Sequence, residues 1–495
     1  MKKKIIAVVV ILLLLAGAAA GWMYYKNTYL IMNGQHYRRD LTELNLQGQS
    51  LPASEELAQF TELKQLDLRG TGLSVGQYEQ LRQLLPECEI LWELPFADGY
   101  LQLDTREIVL EQITEEQLEL LLYLTALESV DATACTDPEA VMELKNRFPA
   151  LKVSYQVEVN GQMLPHDVTK ITVENGDPED LMNKLRYLPS VTDVTFAGSV
   201  PENEAIYGLK QAYPEITFHW PFTFLGLEVT SDTAEMDLSG IRMETVEDLE
   251  AGLKYFNNLE KIVMCDTDLP SNVIDELWKR HPETRFVWNV KIGKFWVRTD
   301  ITYLMPFQYG YNGTKGIQLR DRDCREMKYL VDLVCIDFGH MGITDCSFLA
   351  YMPNMEYLIL SDTMVSDISA MENLKKLKFF EAFKCNIRDI TPLLGCTALE
   401  DVNLCNNLIK DVSVLGQIET LNNIWISGIN WPQDQKDALE AAKPDAKIVY
   451  WQNWGSTGRG WRYLKNYYDH RDFMDMFYLT DEGEAYWERR EYDGK

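Results

Sequence analysis

The sequence predicts an α/β repeat solenoid: a curved parallel sheet with helices and turns on its convex side and hairpin excursions, preceded by one N-terminal transmembrane helix. Three observations predict it. In the C-terminal half, Leu333, Met355, Leu377, Leu399 and Leu421 follow one another at a constant step, each opening the same apolar pattern. In the N-terminal half a like pattern returns at wider intervals, from Leu63 to Leu127, Val191 and Leu259. A long apolar run stands directly behind three N-terminal lysines.

Lys2, Lys3 and Lys4 precede an apolar run from Ile5 to Gly21, followed by Trp22, Tyr24 and Tyr25. Lysines ahead of an apolar stretch place the start in the cytoplasm and carry the chain across the membrane. Ile5 to Leu15 alone has signal-peptide length, with Ala18 to Ala20 offering small residues to a peptidase. Adding Trp22 to Tyr25 lengthens the segment to the whole of Ile5 to Tyr25. That is enough for a hydrocarbon layer of about 30 Å, with aromatic rings at headgroup depth. Residues 1–27 are therefore read as cytoplasmic lysines and a single-pass cell-membrane anchor, and the bulk of the chain as extracytoplasmic. Secretion after cleavage is the alternative.

Residues 28–330 use a long unit. Leu63-x-x-Leu66-x-Leu68, Leu127-x-x-Val130-x-Ala132, Val191-x-x-Val194-x-Phe196 and Leu259-x-x-Ile262-x-Met264 open the main strands, with Thr71, Cys135, Ser199 and Thr267 eight residues after each start. A helix-like stretch then leads to Pro86, Pro149, Pro214 or Pro282, and six residues later to Trp92, Tyr155, Trp220 or Trp288. Pro cannot continue a helix and biases the preceding residue away from it. Extended stretches with a central glycine follow, at Gly99, Gly161, Gly226 and Gly293. Asn160-Gly161, echoed by Asn33-Gly34, reads as a tight hairpin turn. Extra short strands at Leu44-x-Leu46 and Ile108-x-Leu110 predict two repeats plus a hairpin per unit.

Residues 331–454 are regular. Leu333, Met355, Leu377, Leu399 and Leu421 open the repeats; Ile336, Leu358, Phe380, Val402 and Ile424 lie three on; Phe338, Leu360, Ala382, Leu404 and Ile426 lie five on. Alternation of this kind is a strand with one buried face. At the eighth position come Met341, Thr363, Cys385 and Asn407, then Ile343, Val365, Ile387 and Ile409. This is the leucine-rich-repeat signature, in which a small polar side chain satisfies the turn's backbone. A ladder of Asp345, Asp367, Asp389 and Asp411, each followed two residues on by Ser or Thr, reads as turn capping in preference to calcium ligation. The sub-pattern Ile387-Arg-Asp-Ile-Thr-Pro-Leu393 resembles the 22-residue repeats of the internalin family of bacterial surface proteins, over about 333–430. The resemblance implies a repeat fold and partner binding through the concave sheet; the sequence shows no cell-wall sorting motif, so the family's role in host invasion is not carried over.

Alternating positions of these strands are expected on the concave face: Tyr357, Ile359, Phe379, Glu381, Phe383, Asp401, Asn403, Asn423 and Trp425, with His340 nearby. Aromatic rings beside carboxylates and amides suit a binding surface. The competing reading is that residues 455–495, an aromatic and charged tail, fold across this face and use the aromatics as core. Gly455 to Gly460 is read as a hinge, and Tyr463, Leu464, Tyr467, Tyr468, Phe473, Met476 and Phe477 as a helical cap over the last repeat or a docking peptide.

Asp+Glu 76 against Lys+Arg 47 leaves a net charge of -29, which disfavours nucleic acid. Nine cysteines without a C-x-x-C pair predict free, buried thiols. The six histidines fall in different units, with no H-E-x-x-H or G-x-S-x-G, so neither enzyme activity, cofactor nor metal is expected. The expected function is protein or cell-surface ligand binding, with a structural scaffold docking through its tail as the alternative. A hydrolase hidden in the hairpins stands third.

Overall fold

A computed structural model of the chain describes residues 2–306, 318–451, 458–474, 478–479 and 485–486. It divides into two compact units, Met1–Pro221 and Phe222–Lys495. The change of repeat length near residue 330 therefore falls inside the second unit.

The first unit opens with the helix Lys2–Thr28, which contains a stretch, Ile6–Thr28, of mean hydropathy 2.6 and long enough to cross a membrane. No part of that stretch is buried in the protein. The hairpin Tyr29–Met32 with Gln35–Arg38 follows at once, and the Tyr25 hydroxyl reaches the His36 ring.

Each long unit holds three parallel strands, one more than the sequence predicts, and then a hairpin. The ladders place Leu44 beside Leu66 and Ile90, Ile108 beside Val130 and Val153, Ile171 beside Val194 and Phe218, and Met236 beside Ile262 and Phe286. All twelve are buried, the apolar row each repeat contributes to its core. The unforeseen third strand lies in the aromatic stretch after each proline. Lys152–Val159 shows why it was hidden: its first half pairs in parallel with Ser129–Ala132 and its second half antiparallel with Gln162–Pro165. One run of alternating residues serves both a repeat and a hairpin. The hairpins interrupt the ladder, so no trio is hydrogen-bonded to the next: three are three-stranded sheets, and the second extends to four strands by including Gln162–Pro165.

The helices begin and end where local chemistry dictates. Ser74 and Thr114 form capping boxes with Gln77 and Gln117, while Asp137 accepts from the backbone N–H of Glu139 and Ala140 ahead of Pro138. Leu85, Phe148, Tyr213, His281 and Lys443 close their helices with φ near -127° and ψ near 65°, each just before its proline. Hairpin turns use left-handed residues, Asn160 at φ 47° with Gly161 at 77°, and Asn33 at 48° with Gly34 at 75°. Hairpins also pack on neighbouring helices: a Cβ on Gly252 would lie 2.2 Å from the Phe224 ring, so only glycine admits that contact.

In the second unit the regular repeats build a seven-stranded parallel sheet from Tyr303–Leu304 to Lys447–Val449. Leu304, Ile336, Leu358, Phe380, Val402, Ile424 and Ile448 stand side by side across it. Leu358, Phe380 and Val402 are wholly buried, so equivalent positions of successive repeats share one dry interior. Short 3-10 turns such as Ser369–Met371 and Thr391–Gly395 return the chain on the far side. All nine cysteines are free and all but Cys88 are buried. Burial pushes the Cys396 thiol up to about 12, which suppresses thiolate chemistry there.

Candidate functional site

The turn that ends each repeat strand is built from its polar positions. Thr363 Oγ1 donates to the Leu360 carbonyl at 2.7 Å. Asn407 Nδ2 donates to the carbonyls of Ala382 and Leu404, at 2.6 and 3.0 Å, and its Oδ1 accepts from Ile387 N–H at 3.0 Å. The residue before takes a left-handed conformation: His340, Asp362, Lys384 and Asn406 have φ of 54 to 59°. His340 thus sits on the turn at the strand end, not on the sheet face, and its exposed ring meets Asp362 at 2.8 Å. Lys384 meets the other oxygen of Asp362 at 2.9 Å.

The aspartate ladder caps backbone. Asp345, Asp367, Asp389 and Asp411 each accept from the N–H two residues on, at 2.8 to 2.9 Å. Bonds from the side-chain hydroxyl and the backbone N–H of Ser369, Thr391 and Ser413 hold the carboxyls of Asp367, Asp389 and Asp411 below the usual range, the hydroxyl foremost at Asp389 and the N–H at the other two. Among the described residues no cluster of His, Cys, Asp or Glu could hold a metal ion.

Eight of the remaining candidates lie on strands of the seven-stranded sheet, on the side opposite the leucine core, as their alternation requires, and Phe383, in the turn after its strand, packs against the same side. Their expected exposure is corrected. Tyr357, Ile359, Phe379, Glu381, Asp401, Asn403 and Trp425 are buried, and Phe383 and Asn423 partly so. The cover is the C-terminal segment, with Gly458–Tyr463 as a tight turn and Lys465–Met474 as a helix. It lies on the sheet face, not over the end of the last repeat. Trp461, fully buried, lies against Phe379 and Trp425 with ring centroids 4.9 and 5.2 Å apart. Tyr467 and His470 also meet Phe379, at 6.1 and 5.8 Å. Tyr357, Phe379, Trp425, Trp461 and Tyr467, with Cys335, Ile359, Cys405 and Val449, form a second apolar core.

Polar groups thread this core. The Trp461 indole N–H donates to Glu381 Oε2 at 2.5 Å, and Ser361 Oγ donates to Glu381 Oε1 at 2.9 Å. Asn423 Nδ2 donates to Asp401 Oδ1 at 2.7 Å, and Asn466 Nδ2 donates to Glu400 at 2.8 Å. Asn403 Nδ2 is buried without a hydrogen-bond partner. Trp461, Asn466 and His470 were absent from the sequence-derived site, although Trp461, Leu464, Tyr467 and His470 repeat every third residue, a helical stripe legible beforehand. Of the tail positions anticipated, Tyr463 and Tyr468 are exposed. Gly455 to Thr457, Met476 and Phe477 lie outside the described residues, as does the side chain of Phe473.

Burial raises the Asp401 carboxyl above the usual carboxylate range, the hydrogen bond from Asn423 offsetting part of the effect. A carboxyl whose pKa rises on folding makes the fold less stable above that pKa and more stable below it. Asp401→Asn keeps an acceptor for Asn423 and removes the charge. Its denaturation midpoint should exceed the native chain's at pH 7, and the two should converge as pH falls through the folded pKa towards 3.8.

No family model matches the chain, and no curated protein matches it. Among solved structures, an internalin of Listeria monocytogenes is similar at 13% identity over 85% of this chain and 84% of that one, with a TM-score of 0.28. A leucine-rich-repeat protein of Leptospira interrogans is similar at 14% identity over 83% of this chain and 96% of the other, at 0.27. Internalin C2 of Listeria monocytogenes shares 24% identity over 38% of this chain and 78% of its own, at 0.22. The repeat geometry, independent of these overlaps, makes the fold a leucine-rich-repeat one.

Proposed function

We propose that the chain is a membrane-anchored, extracytoplasmic leucine-rich-repeat protein that binds a protein partner through the face of its seven-stranded sheet. Anchoring is supported by the unburied apolar helix and the lysines that precede it. One observation carries the binding: the face seats a segment from 80 residues away, through rings and hydrogen bonds together. Rigid aromatic anchors beside fixed acceptors are what a protein-recognition surface needs. Its role is recognition without chemistry, since the cysteines of the regular repeats are buried and the carboxylates serve as caps and acceptors.

The test is capture from envelope extracts by the full chain. Trp425→Ala and Glu381→Lys should abolish capture, while Met364→Ser, at an exposed position off the sheet strands, should leave it intact. Equal capture by all three would exclude the sheet face. A scaffold docking through the outer side of the tail is the second reading, favoured by the exposure of Tyr463. Loss of capture in Tyr463→Ala alone would select it.

A further inference from the structure

The C-terminal segment is an unusual piece of core. Its inward residues, Trp461, Leu464, Tyr467 and His470, form one stripe at three-residue spacing, and between them they contact strands of several repeats. The segment adds no strand to the seven-stranded sheet. It is held by side chains: the indole on Glu381, the Asn466 amide on Glu400, and a Lys447 bond to the Arg459 carbonyl at 2.9 Å. Beneath it lie two buried carboxylates, Glu381 and Asp401, and the Asn403 side chain, whose Oδ1 accepts from Cys405 N–H while its Nδ2 has no hydrogen-bond partner. Burying such groups costs free energy that a purely apolar core would not incur. The cover is therefore weaker than its ring contacts suggest, while the buried polar side chains on the leucine side, Thr363 and Asn407, are uncharged and hydrogen-bonded.

We propose that residues 458–474 are a resident ligand of the sheet face, and that the face exchanges it for a partner protein's segment of the same chemistry. That segment carries a tryptophan whose indole N–H reaches Glu381, followed by a short helix with apolar or aromatic residues at every third position. Acidic residues at the contact are disfavoured by Glu356, Glu381, Glu400 and Asp401 on or beside the receiving strands unless they carry their own cation, as Asp469 of the resident segment does in its ion pair with Lys465. Arg459, Arg462 and Lys465 at the start of the resident segment follow the same rule. The inference rests on the sheet-face reading and names what that face selects. A tethered occupant competes at an effective concentration of about a millimolar, so an incoming segment binds only the fraction of molecules that are open.

The experiment uses the full chain and a fluorescent synthetic peptide of residues 458–474. Trp461→Ala weakens the resident segment and should tighten peptide binding by about a hundred-fold, the factor expected if roughly one molecule in a hundred is open natively. Adding Glu381→Met should abolish that gain. Should Trp461→Ala fail to fold, Trp461→Phe keeps an aromatic ring and loses the donor, and should give a gain of about ten-fold. Hydrogen exchange gives an independent reading: amides 461–470 of the native chain should open far faster than those of Phe379–Glu381. No saturable binding to either folded variant, or exchange of both segments at one rate, overturns the proposal. Envelope capture that depends on Trp425 while the peptide fails would leave the sheet-face function standing and remove only the exchange.

Discussion

Replacing Phe380 by alanine should lower the unfolding free energy of the second unit by about 3–5 kcal/mol, the range for emptying a buried aromatic site. Phe380 is fully buried in the middle of the seven-stranded sheet, between Leu358 and Val402 in the ladder. Neighbouring repeats cannot collapse onto the vacated space, because their own rows are held in register by strand pairing on both sides. Chemical denaturation followed by tryptophan fluorescence and far-UV circular dichroism measures the loss. Phe379→Ala, one residue away, faces the opposite side and touches Trp461, Tyr467 and His470. It should loosen the C-terminal segment with a smaller effect on the repeats. Equal losses from the two substitutions would mean that the two faces of the sheet form one cooperative core.

The contrast between these neighbours shows what could be read from sequence. The inward row was legible because its unvarying period admits one explanation: Leu358, Phe380 and Val402 must meet. The hairpins were legible at Asn160-Gly161 because few other pairs tolerate two left-handed residues in succession. The third strand of each long unit was not, since Lys152–Val159 alternates without a break and nothing in it marks where parallel pairing gives way to antiparallel. The exposure of the candidate face failed for another reason. Tyr357 to Leu360 and Phe379-Phe380 are near-continuous apolar runs, the mark of strands buried on both sides. The docking-surface reading set that signal aside, whereas the competing reading, a tail folded across the face with the rings as its core, agrees with it. Even so, Glu381, Asp401 and Asn403 had broken the run, and the side chains that answer them lie up to 80 residues downstream, a separation no local pattern encodes.

Asn407→Ala should cost as much as a large core truncation, about 3–5 kcal/mol, although it removes nothing but a carboxamide. The amide of Asn407 is buried and ties together two turns: it donates to Ala382 of the preceding repeat and Leu404 of its own, and accepts from Ile387. Alanine leaves the Ile387 N–H and the two carbonyls in the interior with fewer partners, at roughly 1–3 kcal/mol for each group left unsatisfied. Asn407→Thr is the informative partial replacement. Thr363 shows that a hydroxyl at this position reaches the carbonyl three residues back at 2.7 Å, as the Leu404 bond does here. Threonine cannot also supply Ala382 and Ile387, so it should recover about a third of the loss. Hydrogen exchange locates the damage: in Asn407→Ala the Ile387 amide should lose protection before the strand amides of Asp401–Asn403 do. If Ile387 kept its native protection, the asparagine would act within its own turn alone, and the link between successive repeats would reside in strand pairing.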